Sequence, residues 1–174
     1  MLYYPTAFDP KQEKTKEDRF SELEELEFQV FRMQQNMKEI SKHHDVLGID
    51  ETKENKWVII YVSDDGNICK VMAHDCEKPY QGKWDFSIHA HYKNDFCVHI
   101  DDIRGKENLG FGSVCMRFLK EYTAERKNIR AISGAISKRD WGHVDRLEYF
   151  YKKHRFHVEL EPEEKKGEII WQPM

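Results

Sequence analysis

Between Leu23 and Ile40 the apolar positions Leu23, Leu26, Val30, Met33, Met37 and Ile40 are spaced alternately by three and four residues. That spacing draws a narrow stripe along one helix. The helix is predicted over about residues 11–44, a stretch dense in charge and free of Gly and Pro. Phe20, Phe28 and Phe31 widen the stripe near its middle. It either packs on the helix's own domain or pairs with a second copy, since about three heptads only just reach coiled-coil length. Leu47-Gly48 closes the segment, Gly being the usual residue after a helix end. The first ten residues read as a loop or loose terminus.

Past Gly48 the period shortens to two. "KWVIIYVSDDGNICKVMAHD" reads as two strands around an Asp65-Gly66 turn, a strong hairpin signal. "WDFSIHAHYKNDFCVHIDDI" reads as a second pair turning near Lys93-Asn94-Asp95. A helix is then predicted from about Gly110 to Arg126, a strand at "IRAISGAIS", a helix at "HVDRLEYFYKKH", and strands at "FHVEL" and "EIIW". Antiparallel strands followed by a strand–helix–strand crossover predict a mixed α/β sheet with a parallel pair in its middle.

Composition narrows the setting. The 174 residues suffice for one well-buried core and are too few for two full domains. A formal charge of −4 supplies no overall attraction to nucleic acid. No apolar run approaches the roughly 18 residues of a membrane span, and "MLYYPTAFDP" lacks a basic region followed by an apolar one. The expectation is a soluble cytoplasmic protein. Cys69, Cys76, Cys97 and Cys115 include no CxxC pair, so they read as reduced packing residues.

Candidate chemistry begins at "ENLGFGSVCMRFLKEY", residues 107–122, where Gly110 and Gly112 stand between a strand and a helix. Free N–H groups and the positive end of the helix dipole favour an anion there. Two other phosphate loops are excluded. A dinucleotide fingerprint requires a third glycine where Cys115 stands. A nucleoside-triphosphate loop requires Gly-Lys-Ser/Thr, whereas Gly105-Lys106 precedes Glu107.

The succession "VHIDDIRGKENLGFGSVCMRFLKEY", "AISGAIS" and "DRLEYFYKKHRF" resembles the GNAT superfamily of N-acetyltransferases. Members carry a strand, an R/Q-x-x-G-x-G/A loop at a helix start, a further strand, and a helix with a phrase like "FY-x-K-x-GF". The likeness spans roughly residues 57–171 and is most specific over 96–156. It implies a GNAT-like domain at 46–174 preceded by a helical extension at 1–45, the latter not accounted for by the family's two short acceptor-side helices. It also implies acetyl-coenzyme A as cosubstrate. The amides of Leu109, Gly110, Phe111, Gly112 and Ser113 would hold its pyrophosphate, and the open strand edge at Ile103 would pair with pantetheine. The sequence departs from the family twice: Glu107 stands in place of Arg or Gln, with Arg104 and Lys106 nearby to restore positive charge, and Arg155 stands in place of the glycine of "xGF".

The place of Tyr151 in "FYKK" implies a general acid, a task suited to a phenol protonated at pH 7. For a base, His99, Asp101 and Asp102 lie on the strand facing the acceptor, with Asp101 taken as the catalytic candidate and a water-relayed base equally compatible. Strand alternation places His99 and Asp101 on one face and Asp102 on the other. His89, His91 and His99 read as surface histidines rather than metal ligands. Asp140 caps the second helix or touches the cofactor, and Arg146 pairs with a neighbouring acid. The function implied is acetyl transfer to a primary amine on a small molecule or protein, with a possible homodimer through the N-terminal helix. Asp101, Asp102 and Glu107 would suit a cationic acceptor. The rival is a non-catalytic protein of this fold acting through its helical seam.

Overall fold

The apolar stripe forms helix α1, Lys16–Ile40, in the computed structural model, which describes residues 14–126 and 128–174. The expectations for residues 1–13 lie outside the described residues. A capping box starts the helix: Thr15 Oγ1 accepts from the Asp18 amide at 3.1 Å, and the Asp18 carboxylate accepts from the Thr15 amide at 2.9 Å. The stripe then divides. Met33, Met37 and Ile40 pack on a sheet face with Ile59, Tyr61, Met72 and Cys76. Buried Asn36 ties the helix to the 76–85 loop, donating to Lys78 O at 3.0 Å and accepting from the Tyr80 amide at 2.8 Å. Nearer the N-terminus, Phe20, Leu23, Leu26, Phe28, Val30 and Phe31 are exposed, Phe28 by 71%.

Eight strands follow: β1 Asp45–Glu51, β2 Trp57–Asp64, β3 Ile68–Asp75, β4 Phe86–Asn94, β5 Cys97–Gly105, β6 Ala131–Ile136, β7 His157–Glu161 and β8 Lys166–Trp171. Helix α2, Phe111–Ala124, joins β5 to β6, and α3, Val144–Lys153, lies between β6 and β7. The sheet order is β1-β2-β3-β4-β5-β6-β8-β7. All neighbours are antiparallel except β5 and β6, the parallel pair expected. Strand β1 occupies residues that read as a helix end. Its register shifts between Val46 and Gly48, and a Cβ at Gly48 would meet the Phe118 ring at 3.1 Å, so the glycine marks a close approach to α2 rather than a helix stop.

The two sheet faces differ. One carries Val58, Ile60, Val71, Ile88, Val98, Ile100 and Ile132 and is covered by α2 and α3. Phe111, Met116 and Leu119 of α2 are wholly buried there, each worth about 1.5–3 kcal/mol against exposure. On the opposite face α1 covers the β1–β3 end. The β2–β3 connection is the tight Asp65-Gly66 turn.

Candidate active site

Three features converge where β5 and β6 separate. Their parallel ladder runs only from Cys97↔Ala131 to Ile100↔Gly134. Beyond it, β5 continues through Gly105 paired to β4 alone, while β6 continues through Ile136 paired to β8. A wedge therefore opens, and Ile103, paired to Ile88 on one side, has a free backbone edge on the other. At the mouth β5 also bulges: Asp102 opposes His89 and Ile100 opposes Ala90, leaving Asp101 as the extra residue.

The loop leaving β5 turns into α2 through Asn108 at φ 60° and Gly110 at φ 85°. Gly110 is the N-cap and offers no side-chain cap, so the amides of Phe111, Gly112 and Ser113 have no acceptor within the helix, whose first bond is Val114 N–H to Gly110 O at 3.3 Å. Side chains on either side anchor this turn: Phe111 is fully buried and Leu109 packs on the same core. The glycines themselves are small because of packing. A Cβ on Gly110 would sit 3.2–3.3 Å from Lys53 and Thr52, and one on Gly112 would sit 3.1 Å from Phe86 and 3.3 Å from Phe150. The missing side chain of Gly112 thus faces the core rather than the path of an incoming phosphate, although its amide stays free.

Glu107 is turned away from the amides, taking a two-pronged ion pair from Arg146 of α3 at 2.5 and 2.9 Å. Arg104 and Lys106 are also committed elsewhere, to Asp102 at 2.6 Å and to buried Asp85 at 3.3 Å. Apart from Arg155, the positive charge comes from residues that the sequence reading did not single out. A cleft of about 580 Å³ starts at Gly110 and Ser113 and is lined by Arg117, Lys120, Lys153, His154 and Arg155, with Glu51 the one acid among the described residues that line it. Burial, together with the charges of Lys120, Lys153 and Arg117, pushes the His154 imidazole down to about 4. Lys120 is lowered by burial and by Arg155. Like charges at this density favour an anion between them. The signal in the sequence was "KKHR" at 152–155 combined with Arg117 and Lys120, one helical turn apart on α2.

Tyr151 lies on the core side of the wedge, 6% exposed, against Phe150 and Phe156. Burial foremost, then the negative charges of Asp140 and Asp102, raise its pKa and keep the phenol protonated. Asp140 accepts from Ser137 Oγ at 2.7 Å at the start of a 3₁₀ turn, Lys138–His143. Its role there is to fix the turn after β6.

The opposite face of the wedge is polar. The cross-strand pairs His91↔His99 and His89↔Asp102 place these four residues on one face. The bulge cancels the strict alternation expected of β5, so Asp102 shares the face of His99 rather than opposing it. Asp101 is exposed, and its carboxylate oxygens both lie 2.8 Å from His91 Nδ1. The His91 and His99 ring centroids are 5.3 Å apart. His99 Nδ1 is 2.9 Å from Ser133 Oγ across the β5–β6 junction, and Ser133 Oγ is 3.3 Å from Cys97 Sγ. Cys97 Sγ–H can donate to Val98 O at 3.6 Å. If the Cys97 proton stays directed at that carbonyl, Ser133 donates to Cys97 and accepts from His99 Nδ1–H, the arrangement that would leave His99 Nε2 a bare acceptor. Burial lowers the His99 pKa, against a raising influence from Asp101. Among the described residues no group of three or more His, Cys, Asp or Glu side chains is arranged to hold a metal ion.

No family model matches the chain. It is 48% identical over 159 residues to the uncharacterized protein YocC of Bacillus subtilis (strain 168), spanning 91% of this chain and 95% of that one. Among solved structures it is similar to the Campylobacter jejuni N-acetyltransferase PseH, with a TM-score of 0.47 at 13% identity over 64% of this chain and 71% of that one. It is also similar to Arabidopsis thaliana NAA60 in complex with acetyl-CoA, with a TM-score of 0.49 at 13% identity over 62% and 77% of the two chains. None of the described helices is long and apolar enough to cross a membrane.

Proposed function

This chain belongs to the family of Bacillus subtilis YocC, and for it we propose acetyl-coenzyme A-dependent transfer of an acetyl group to an amine. One observation carries the reading: a wedge between parallel strands, entered beside a helix start whose amides are free and whose flank is a cationic cleft. These features fit the thioester cosubstrate in three places. The amides of Leu109–Ser113 suit a pyrophosphate. The free edge at Ile103 suits an amide-bearing pantetheine arm. The cleft suits further phosphate charge.

When bound, acetyl-coenzyme A supplies an activated acyl carbon and a thiolate leaving group. The chain's own residues have two proton tasks. Tyr151, protonated and facing the wedge from the core side, gives a proton to the departing sulfur. On the other face His99, held in the tautomer that leaves Nε2 free by Ser133 and Cys97, takes the proton of the acceptor nitrogen. Asp101 then acts through His91, orienting that ring beside His99, rather than as the base itself. The acceptor reaches this pair over the β4–β6 middle of the sheet, where Asp101 and Asp102 favour a cationic amine.

In this reading residues 46–174 form the acyltransferase body and 1–45 an accessory element working in the cytoplasm. The exposed half of α1, from Phe20 to Phe31, pairs with a second copy of itself, because its spacing of three and four suits a helix partner and no described segment covers it. The deciding experiment is thermal unfolding with acetyl-coenzyme A. A ligand at about one hundred times its Kd stabilises by roughly 2.7 kcal/mol, a melting shift on the order of 5–10 °C for this size. An unchanged melting curve at millimolar ligand overturns the proposal.

A further inference from the structure

Arg155 combines a costly backbone conformation with a place in the cationic cleft. It ends α3 at φ 62°, in the left-handed region where glycine is the usual residue. The closure around it is the tight helix-ending type, with the Phe156 amide donating to Tyr151 O at 3.0 Å and the Arg155 amide to Lys152 O at 2.9 Å. Glycine would make this turn without strain. Asn55, Asn108 and Lys165 share this region, so what sets Arg155 apart is that it also lines the cationic cleft.

The surroundings say what it faces. Arg117 is paired with Asp50, and Lys120 donates to the His154 carbonyl. Lys53, Lys153 and Arg155 form no ion pair with a described residue, and Lys153 reaches only the Ser113 hydroxyl at 3.5 Å. A pyrophosphate held by the α2 amides would occupy the Ser113 end of this cleft. Lys120 lies seven residues further, roughly 10 Å along the helix axis, and Arg155 lines the same wall. The cleft therefore presents more positive charge, over a greater length, than a pyrophosphate alone accounts for. Coenzyme A carries one other phosphate, the monoester on its ribose 3′ oxygen.

We propose that this cleft is a phosphomonoester pocket for the 3′-phosphate of coenzyme A, and that Arg155 is retained in a left-handed conformation to supply its principal cation. The inference rests on the acetyl-coenzyme A reading above. It assigns Arg155 a binding role that the glycine found at this place in the resembled family cannot have.

The test is calorimetric titration of the whole chain with acetyl-coenzyme A, its 3′-dephospho form, and adenosine 3′,5′-bisphosphate. The wild type should prefer the 3′-phosphorylated thioester by about 10–100-fold, the worth of one charge-assisted contact. Arg155→Gln removes the charge and keeps the strain; Arg155→Gly removes both. Each should abolish the preference while leaving affinity for the dephospho form unchanged, and Arg155→Gly should also unfold at a higher temperature than wild type. Wild type without a preference, or variants that keep it, overturn the proposal. If the wild type binds neither thioester yet binds the bisphosphate through Arg155, Arg155 keeps a phosphomonoester role while the assignment to coenzyme A falls with the acetyl transfer reading. If it binds none of the three, both fall.

Discussion

Replacing Ser113 by glutamate separates the two roles of the α2 N-terminus because its effects on the free and the bound protein have opposite signs. Ser113 is the third residue of α2, with its hydroxyl 3.2 Å from His154 Nε2 and 3.5 Å from Lys153 Nζ. In the free protein a carboxylate there lies at the positive end of the helix dipole, worth about 0.3–1 kcal/mol, and gains a partly exposed partner in Lys153, worth about 0–1 kcal/mol. Ser113→Glu should therefore melt about 1–8 °C higher than wild type without ligand. With ligand, the same carboxylate faces a pyrophosphate seated on the neighbouring amides. Two unit charges about 5 Å apart repel by roughly 3 kcal/mol at an effective dielectric of 20, and by about half that with stronger screening. The stabilisation of roughly 2.7 kcal/mol expected for wild type at one hundred times its Kd should shrink to under about 1 kcal/mol. Differential scanning fluorimetry with and without acetyl-coenzyme A reads both numbers, and Ser113→Ala, which adds no charge, should keep the wild-type shift. A Ser113→Glu protein that is stabilised by acetyl-coenzyme A as fully as wild type would show that the phosphates do not sit at this helix start. Glycine replacement is the poorer test, since a Cβ on Gly112 would press within 3.1 Å of Phe86 and 3.3 Å of Phe150 and so mix a packing effect with the effect on the ligand.

Tyr151→Phe removes only a hydroxyl, so stability and acetyl-coenzyme A affinity should hold while kcat falls about 10²-fold, at the low end for a general acid because its raised pKa makes proton release harder. Tyr149→Phe, at a ring 70% exposed, should be silent, and equal losses in the two variants would reduce Tyr151 to packing. The base His99 is active when neutral, and burial lowers its pKa, so the rate should hold at neutral pH and fall only below its ordinary value near 6.5. His99→Gln should lower kcat about 10²–10⁴-fold and abolish that acid limb, and an unaltered pH profile would remove His99 from the chemistry. Leu26→Asp with Val30→Asp should convert a dimer into a monomer that keeps its sheet, and a wild-type monomer by light scattering at micromolar concentration refutes self-pairing. Met33 and Met37 are left intact in that test because they pack on the sheet.

Local pattern alone determined most of the elements. Asp65-Gly66 set one hairpin, the alternation of β2 to β5 set the antiparallel run, and the 3.6-residue period of α2 and α3 set the crossover, because each signal is carried by neighbours in the chain. The free amides of the turn into α2 were legible for the same reason, in two glycines placed between a strand and a helix. What tertiary structure decided depends on residues far apart in sequence. Gly48 read as a helix stop until Phe118, packed against it, showed a strand crossing α2. The apolar stripe of α1 looked uniform, yet only the sheet determined that Met33, Met37 and Ile40 are covered while Leu23, Leu26 and Val30 are not. A single bulge at Asp101 broke the alternation of β5 and moved Asp102 to the face of His99, and strand periodicity has no term for an inserted residue. Charge was least legible of all. Arg104 and Lys106 stand nearest the loop in sequence but are spent on Asp102 and Asp85. The cations of the cleft come from the flank of α2 and the end of α3, brought together because both helices pack on one face of the sheet.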